Sequence, residues 1–417
     1  MFLNDGLERL SIEFQDDTQS RTIRYLLREI PSRSRCLKSV KIVSEDFDEY
    51  TSNGDPQLDD DVQEFVREMK LMEEIVVSRY WLTPINLQLL GQSSRLRRIS
   101  AHRGYHYRIE DVPQIDMAGY PMLAPNLTSL ALTVTNIRSI YCLTTSQPLM
   151  LPKLEKLEID TNITTAVAGN QLKEFLSALA EARPGITSLH LSLAPPKTVT
   201  AFRISFDLFA PLFTCKNMTS FVIHHPCPLL MDLQDLHNLL EQWPKLTELI
   251  LSANPDTSSS TSSGLRLEAL HVVARCNPHI RRLGLYLDCS PQEPSTELHQ
   301  LSDLEFLHVG SSKVYDSHAM AALLADLCKV DLEIIEGDPD GRQPADAFLR
   351  LPIGQRAAWR DVQRLFQTLA KMKEKERRRA MDLQWEHDSK LRHLEKRLAE
   401  EVERRRVVEV EICALKS

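Results

Sequence analysis

Apolar residues fall along this chain in a recurring phrase, apolar-x-x-apolar-x-apolar. Its clear copies are Leu7/Leu10/Ile12, Leu37/Val40/Ile42, Met72/Ile75/Val77, Leu127/Leu130/Leu132, Leu154/Leu157/Ile159, Ile186/Leu189/Leu191, Met218/Phe221/Ile223, Leu246/Leu249/Leu251, Ile280/Leu283/Leu285 and Leu304/Leu307/Val309. Two degraded copies, Leu96/Ile99/Ala101 and Leu327/Val330/Leu332, fill the remaining gaps. The last two apolar positions of each phrase are two residues apart, the period of a strand, so they face one side and the residues between and beside them face the other. One such strand cannot bury its apolar side alone, so successive copies must stack.

Between the phrases the period changes. Gln171 to Arg183 carries Leu172, Phe175, Leu176 and Leu179 at helical spacing and ends at Pro184-Gly185; Leu233 to Trp243 before Pro244 repeats the arrangement. Pro125, Pro152 and Pro278 stand in similar places ahead of later strands, where proline stops a helix and favours extended chain. Successive phrases begin roughly 23 to 35 residues apart, close to the period of about 20 to 29 of leucine-rich repeats with insertions. The expected fold is therefore α/β: a leucine-rich-repeat solenoid over residues 1–350, a curved parallel sheet with crossover helices in about eleven or twelve repeats.

Three segments break the rhythm. Residues 44–61 (SEDFDEYTSNGDPQLDDD) form an acidic insertion with turn signals, expected as a solvated loop. Residues 252–264 (SANPDTSSSTSSG) hold almost no apolar group to offset their ordering entropy and are expected to be a mobile Ser-rich loop. From residue 355 to 417 the strand phrase ends and a charged long helix is expected, with Val362, Leu365, Leu369 and Met372 opening a heptad-like stripe that resumes at Leu391, Leu394 and Leu398. That stripe fits two arrangements. Either two copies pair as a homodimer through 355–417, or one helix docks its first turns on the last repeat, with Trp359 and Phe366 closing the solenoid.

In a solenoid the outward strand positions carry function. Here they include Arg98 and His102, Lys156 and Glu158, His190, His224, Arg282 and Tyr286, and Phe306 and His308. Both charge signs, several histidines and two aromatics suit protein recognition, where aromatic and Arg anchors dominate affinity. A phosphate-binding surface would show a basic ladder, and these positions do not.

Composition narrows the class further. The 417 residues are 42% hydrophobic and 26% charged, enough apolar side chain for a long core and too much for wholesale disorder. A net charge of −8 gives no reason to expect nucleic-acid binding by the whole chain. The start carries no positively charged segment leading into an apolar run, and no stretch is long and apolar enough for a membrane span. The 8 cysteines are spread singly, without C-x-x-C pairs, and read as reduced structural thiols in an intracellular compartment, cytoplasmic or nuclear.

Phosphate-loop, dinucleotide, zinc-protease and nucleophile-elbow motifs are absent from the sequence. His224-His225-Pro226-Cys227 with Cys215 offers the right ligand types for zinc, but adjacent histidines in extended chain point to opposite sides and do not share a metal. For the other cysteines no paired base can be named from the sequence. The expectation is a non-enzymatic chain with no cofactor and no metal.

The run from Pro244 to Val314, with PKLTELILSANP, LRLEALHVVARCNPHIRRLGLYLDCSPQ and LEFLHVGSSKVYD, resembles the C-terminal repeats of fungal F-box/leucine-rich-repeat-like proteins, and PNLTSLAL and PKLEKLEI extend the likeness over most of residues 1–350. The resemblance implies a target-recognition subunit of a Skp–cullin–F-box ubiquitin ligase, with a Skp-type adaptor and cullin as partners. The family's F-box opens on a Leu-Pro-x-Glu signature near the N-terminus. Here Leu7 already belongs to a strand phrase and Leu351-Pro352 lies at the other end, so an upstream segment is expected. The competing expectation is a ligase-independent structural or regulatory adaptor that dimerises through the C-terminal helix.

Overall fold

The computed structural model describes residues 3–14, 20–44, 56–102, 124–134, 137, 151–162, 167–194, 204–225, 227–253, 255, 265–290, 299–336 and 353–416. Each clear phrase becomes one strand, as does the degraded copy Leu96/Ile99/Ala101. These are β1 (Arg9–Phe14), β2 (Ser39–Ser44), β3 (Glu74–Ser78), β4 (Arg98–His102), β5 (Ser129–Val134), β6 (Lys156–Asn162), β7 (Ser188–Ala194), β8 (Ser220–His224), β9 (Glu248–Leu251) and β10 (Arg282–Leu285). There follow β11 (Asp288–Cys289), β12 (Phe306–His308), β13 (Lys313–Val314) and β14 (Glu333–Ile335). All but β11 and β13 form a 12-stranded parallel sheet in chain order, the architecture of a leucine-rich-repeat solenoid; β11 and β13 pair separately.

The register explains why the phrase repeats. Leu130, Leu157, Leu189, Phe221, Leu249, Leu283 and Leu307 stand side by side on neighbouring strands, and none is more than 3% exposed. Each buried side chain of this size contributes about 1.5–3 kcal/mol of transfer free energy. A column of backbone bonds holds the stack: the amides of Thr187, Thr219, Thr247 and Arg281 donate in turn to the carbonyls of Glu155, Thr187, Thr219 and Thr247 at 2.7–2.8 Å. The amides of Ser188, Ser220 and Glu248 and the hydroxyls of Thr187, Thr219 and Thr247 also donate to the first three of those carbonyls.

The α-helices among the described residues are α1 (Ser20–Arg33), α2 (Pro56–Glu68), α3 (Pro84–Gly91), α4 (Val167–Ala182), α5 (Leu233–Gln242), α6 (Glu268–Cys276), α7 (Ser317–Leu327) and α8 (Ile353–Lys416), with a 3-10 helix at Phe206–Thr214. Helices α1 to α7 lie between the strands in chain order, and α8 follows the last strand. The two crossover helices expected from periodicity are α4 and α5. Asp232 begins α5 with a reciprocal capping box to Asp235.

Two expectations need correction. The last strand is Glu333–Ile335, not the phrase Leu327/Val330/Leu332, because Leu327 is spent on the end of α7 and only Leu332 leads into the strand. The acidic insertion is not all loop: 56–61 belong to α2, and residues 45–55 lie outside the described residues. Asp61 there is 7% exposed and pairs with Arg24 at 2.7 Å and Arg28 at 2.8 Å on α1. Burial opposes its charge, but the hydrogen bonds from both guanidinium groups outweigh burial and hold its carboxyl below the usual range. The Ser-rich segment falls outside the described residues apart from Ser252, Ala253 and Pro255.

The first turns of α8 close the C-terminal end of the stack. Trp359, Val362, Phe366 and Ala370 are buried, and the Trp359 indole donates to the Ser312 carbonyl at 2.9 Å. Gln363 accepts from the Ile334 amide at 2.8 Å and donates to the Leu332 carbonyl at 3.3 Å, so a side chain satisfies backbone groups of β14, the last strand of the sheet among the described residues. Lys373 pairs with Asp326 on α7. Beyond this point α8 leaves the repeats: every residue from 375 to 406 is exposed, Leu391, Leu394, Leu398 and Val402 among them. Among the described residues no helix is long and apolar enough to cross a membrane.

Candidate functional site

The face of the sheet turned away from the core carries its side chains in rows set by strand register. The first row runs Arg9, Ser39, Glu74, Arg98, Ser129, Lys156, Ser188, Ser220, Glu248, Arg282, Phe306 and Glu333 across successive strands, about 4.8 Å apart. One arrangement occurs in it twice. Ser39 donates to Glu74 at 3.2 Å, and Glu74 pairs with Arg98 at 3.0 Å. Ser220 donates to Glu248 at 2.6 Å, and Glu248 pairs with Arg282 at 3.1 Å. The second copy extends one strand further, because the Arg282 guanidinium lies 5.6 Å from the centre of the Phe306 ring.

The next outward row behaves differently. It runs through Glu158, His190, Val222, Ile250, Gly284 and His308, and much of it is closed. Val222, Ile250 and Ala253 form a small apolar cluster separate from the main core, and His308 is completely buried. Gly284 is required here: a Cβ would meet Ile250 Cγ2 at 2.8 Å and His308 Cβ at 3.2 Å. Packing across this row, not strand alternation, decides which outward residues reach solvent.

The sequence-derived residues therefore separate. Arg98, Lys156, Glu158, Arg282 and Phe306 present at least part of their side chains to solvent. His190 is only 8% exposed, its Nδ1 3.5 Å from Glu158 and its ring 5.1 Å from that of His224. His102 and Tyr286 are half-buried; burial lowers the imidazole pKa of His102, with Lys41 adding to it, and raises the phenol pKa of Tyr286. His308 lies beneath the surface despite its outward position.

The zinc-type ligand types do not converge. His225 is buried, Nδ1 accepts from the Cys227 amide at 3.1 Å, and burial pushes its pKa down to about 4. Cys215 sits in the core with Sγ 3.8 Å from the Arg183 carbonyl. No group of three His, Cys, Asp or Glu side chains among the described residues is placed to hold a metal ion. What sequence reading missed is a paired base for a cysteine: His237 stands beside Cys276 on the helix side, a contact between α5 and α6 that no local motif announces.

No family model matches the chain, and no curated protein matches it. Among solved structures it is similar to the leucine-rich-repeat-containing protein LegL7 from Legionella pneumophila, with 12% identity and a TM-score of 0.34 over 84% of this chain and 98% of that one. It is also similar to TLR13 in its complex with ssRNA13, with 10% identity and a TM-score of 0.35 over 82% of this chain and 48% of that one.

Proposed function

We propose that the chain is a non-enzymatic protein-binding scaffold, and that a protein target docks on the outer sheet face around Ser220, Glu248, Arg282 and Phe306. The observation that carries this reading is the prearranged anchor: a partly exposed guanidinium held by Glu248 on one side and stacked on an aromatic ring on the other. Arg and aromatic groups with little conformational freedom left to lose are the usual source of interface affinity. Replacing Arg282 and Phe306 by Ala together is expected to remove a bound protein by at least tenfold in Kd while the melting temperature stays within a few degrees. Unchanged binding of every recovered protein by a folded double variant contradicts the reading.

The finer reading, target recognition for a Skp–cullin–F-box ligase, rests on the resemblance of the repeats. Co-purification of a Skp-type adaptor and cullin with the full chain supports it, and their consistent absence removes it.

A second reading, self-association through α8, is favoured by a specific observation. Leu391, Leu394 and Leu398 lie exposed at a, d and a of one heptad frame. In that frame the e positions Asp388 and Glu395 are acidic and the g positions Lys390, Arg397 and Arg404 are basic. Two parallel copies set Lys390 against Glu395, whereas antiparallel copies set like charges together, so the occupant is a second, parallel copy of this chain. Light scattering is expected to give twice the monomer mass, falling to the monomer mass in Leu394→Asp. A monomer before substitution contradicts this reading.

A further inference from the structure

Cys276 and His237 are 39 residues apart in sequence, yet α5 and α6 of neighbouring repeats bring Cys276 Sγ to 3.1 Å from His237 Nδ1. On the other side of the same ring, Nε2 is 3.2 Å from Glu241 Oε1, one turn along α5. A carboxylate only accepts, so Nε2 carries the hydrogen, and in the neutral ring Nδ1 is left as an acceptor facing the thiol. The two helix ends are tied together: Asn277, which caps α6, donates from Nδ2 to the carbonyl of Trp243, which caps α5, at 3.0 Å, and both residues are buried. The thiol, its proton acceptor and the acceptor's orienting group are thus held in line by the packing of the fold.

The remaining described cysteines differ. Cys215, Cys227, Cys289 and Cys328 are buried, and burial pushes the Cys289 and Cys328 thiols up to about 12. Cys36 is exposed but has no imidazole at hydrogen-bonding distance among the described residues. Cys276 alone among them combines partial access with a base, and it sits on the helix side, away from the proposed docking face.

We propose that Cys276 is a nucleophilic thiol and a site of covalent modification by soft electrophiles, with His237 as proton acceptor and Glu241 as positioning residue. In the step, the S–H proton passes to His237 Nδ1 as sulfur forms a bond to the electrophile. The leaving group departs with its electron pair: halide from an alkylating agent, or thiolate from a small disulfide. The modification adds a group at the seam between two repeats without covering Arg282 or Phe306.

Alkylation of the full chain by iodoacetamide, followed peptide by peptide by mass spectrometry at one pH, tests this. Cys276 is expected to react about tenfold faster than Cys36 despite its lower exposure. His237→Asn is expected to abolish the advantage, Glu241→Leu to reduce it, and Glu241→Gln to restore most of it because the amide oxygen still accepts from Nε2. A Cys276 rate equal to or below that of Cys36 in the unsubstituted chain overturns the proposal whatever the variants do. So does an undiminished rate in a folded His237→Asn chain.

Discussion

The two faces of the 12-stranded sheet are built from the same short strands and obey opposite rules. Across the inner face one kind of side chain is repeated from strand to strand, as in Leu157, Leu189, Phe221, Leu249 and Leu283, because each position meets the same environment one repeat further on. Across the outer face almost nothing repeats except the Ser–Glu–Arg arrangement, which occurs on β2–β4 and again on β8–β10. What sets the β8–β10 copy apart from the β2–β4 copy is the Phe306 ring one strand further on, 5.6 Å from the Arg282 guanidinium. The closed row through Val222, Ile250, Gly284 and His308 is the exception, since outward side chains there pack on one another.

The sharpest break in this comparison is Leu249→Asp. It places an unpaired charge in the inner face and is expected to cost about 3–5 kcal/mol by urea unfolding, enough to unfold the repeats around it. Gly284→Ala is next, about 1–3 kcal/mol from overpacking against Ile250 and His308, and it tests whether the outer middle row is as closed as an interior. On the helix side, the Asp61 contribution is expected to be fully present above the carboxyl's ordinary value of 3.8 and to be lost as pH falls through its lower folded value; acid unfolding of Asp61→Asn, which lacks that dependence, checks it. Arg282→Ala is expected to change stability least, within about 1 kcal/mol, because its ion pair is partly exposed.

Much of this is legible in the sequence. Strands β1 to β10 and β12, the two crossover helices and the long terminal helix follow from local periods of two and 3.6 residues, which a sequence carries directly. The last repeat departs from its phrase because a leucine ending a helix and a leucine opening a strand look alike in a degraded copy, and Leu327 ends α7. His308 stands on the outward row as alternation specifies yet is buried, because exposure depends on the neighbours packed over it. Asp61 was hidden in an acidic run whose other members gave no hint that one of them meets Arg24 and Arg28. The Cys276–His237 contact depends on how two helices of adjacent repeats are brought together, and no spacing rule reaches across 39 residues.

Site-specific photocrosslinking tests the central claim most directly. A benzophenone-bearing residue placed at Phe306 on the outer face is compared with one at Ser177, exposed on α4 behind the sheet. The account predicts a discrete crosslinked protein from the Phe306 position that is lost in the Arg282→Ala background, and none from Ser177. The same crosslinked species from both positions, or only from Ser177, would contradict it.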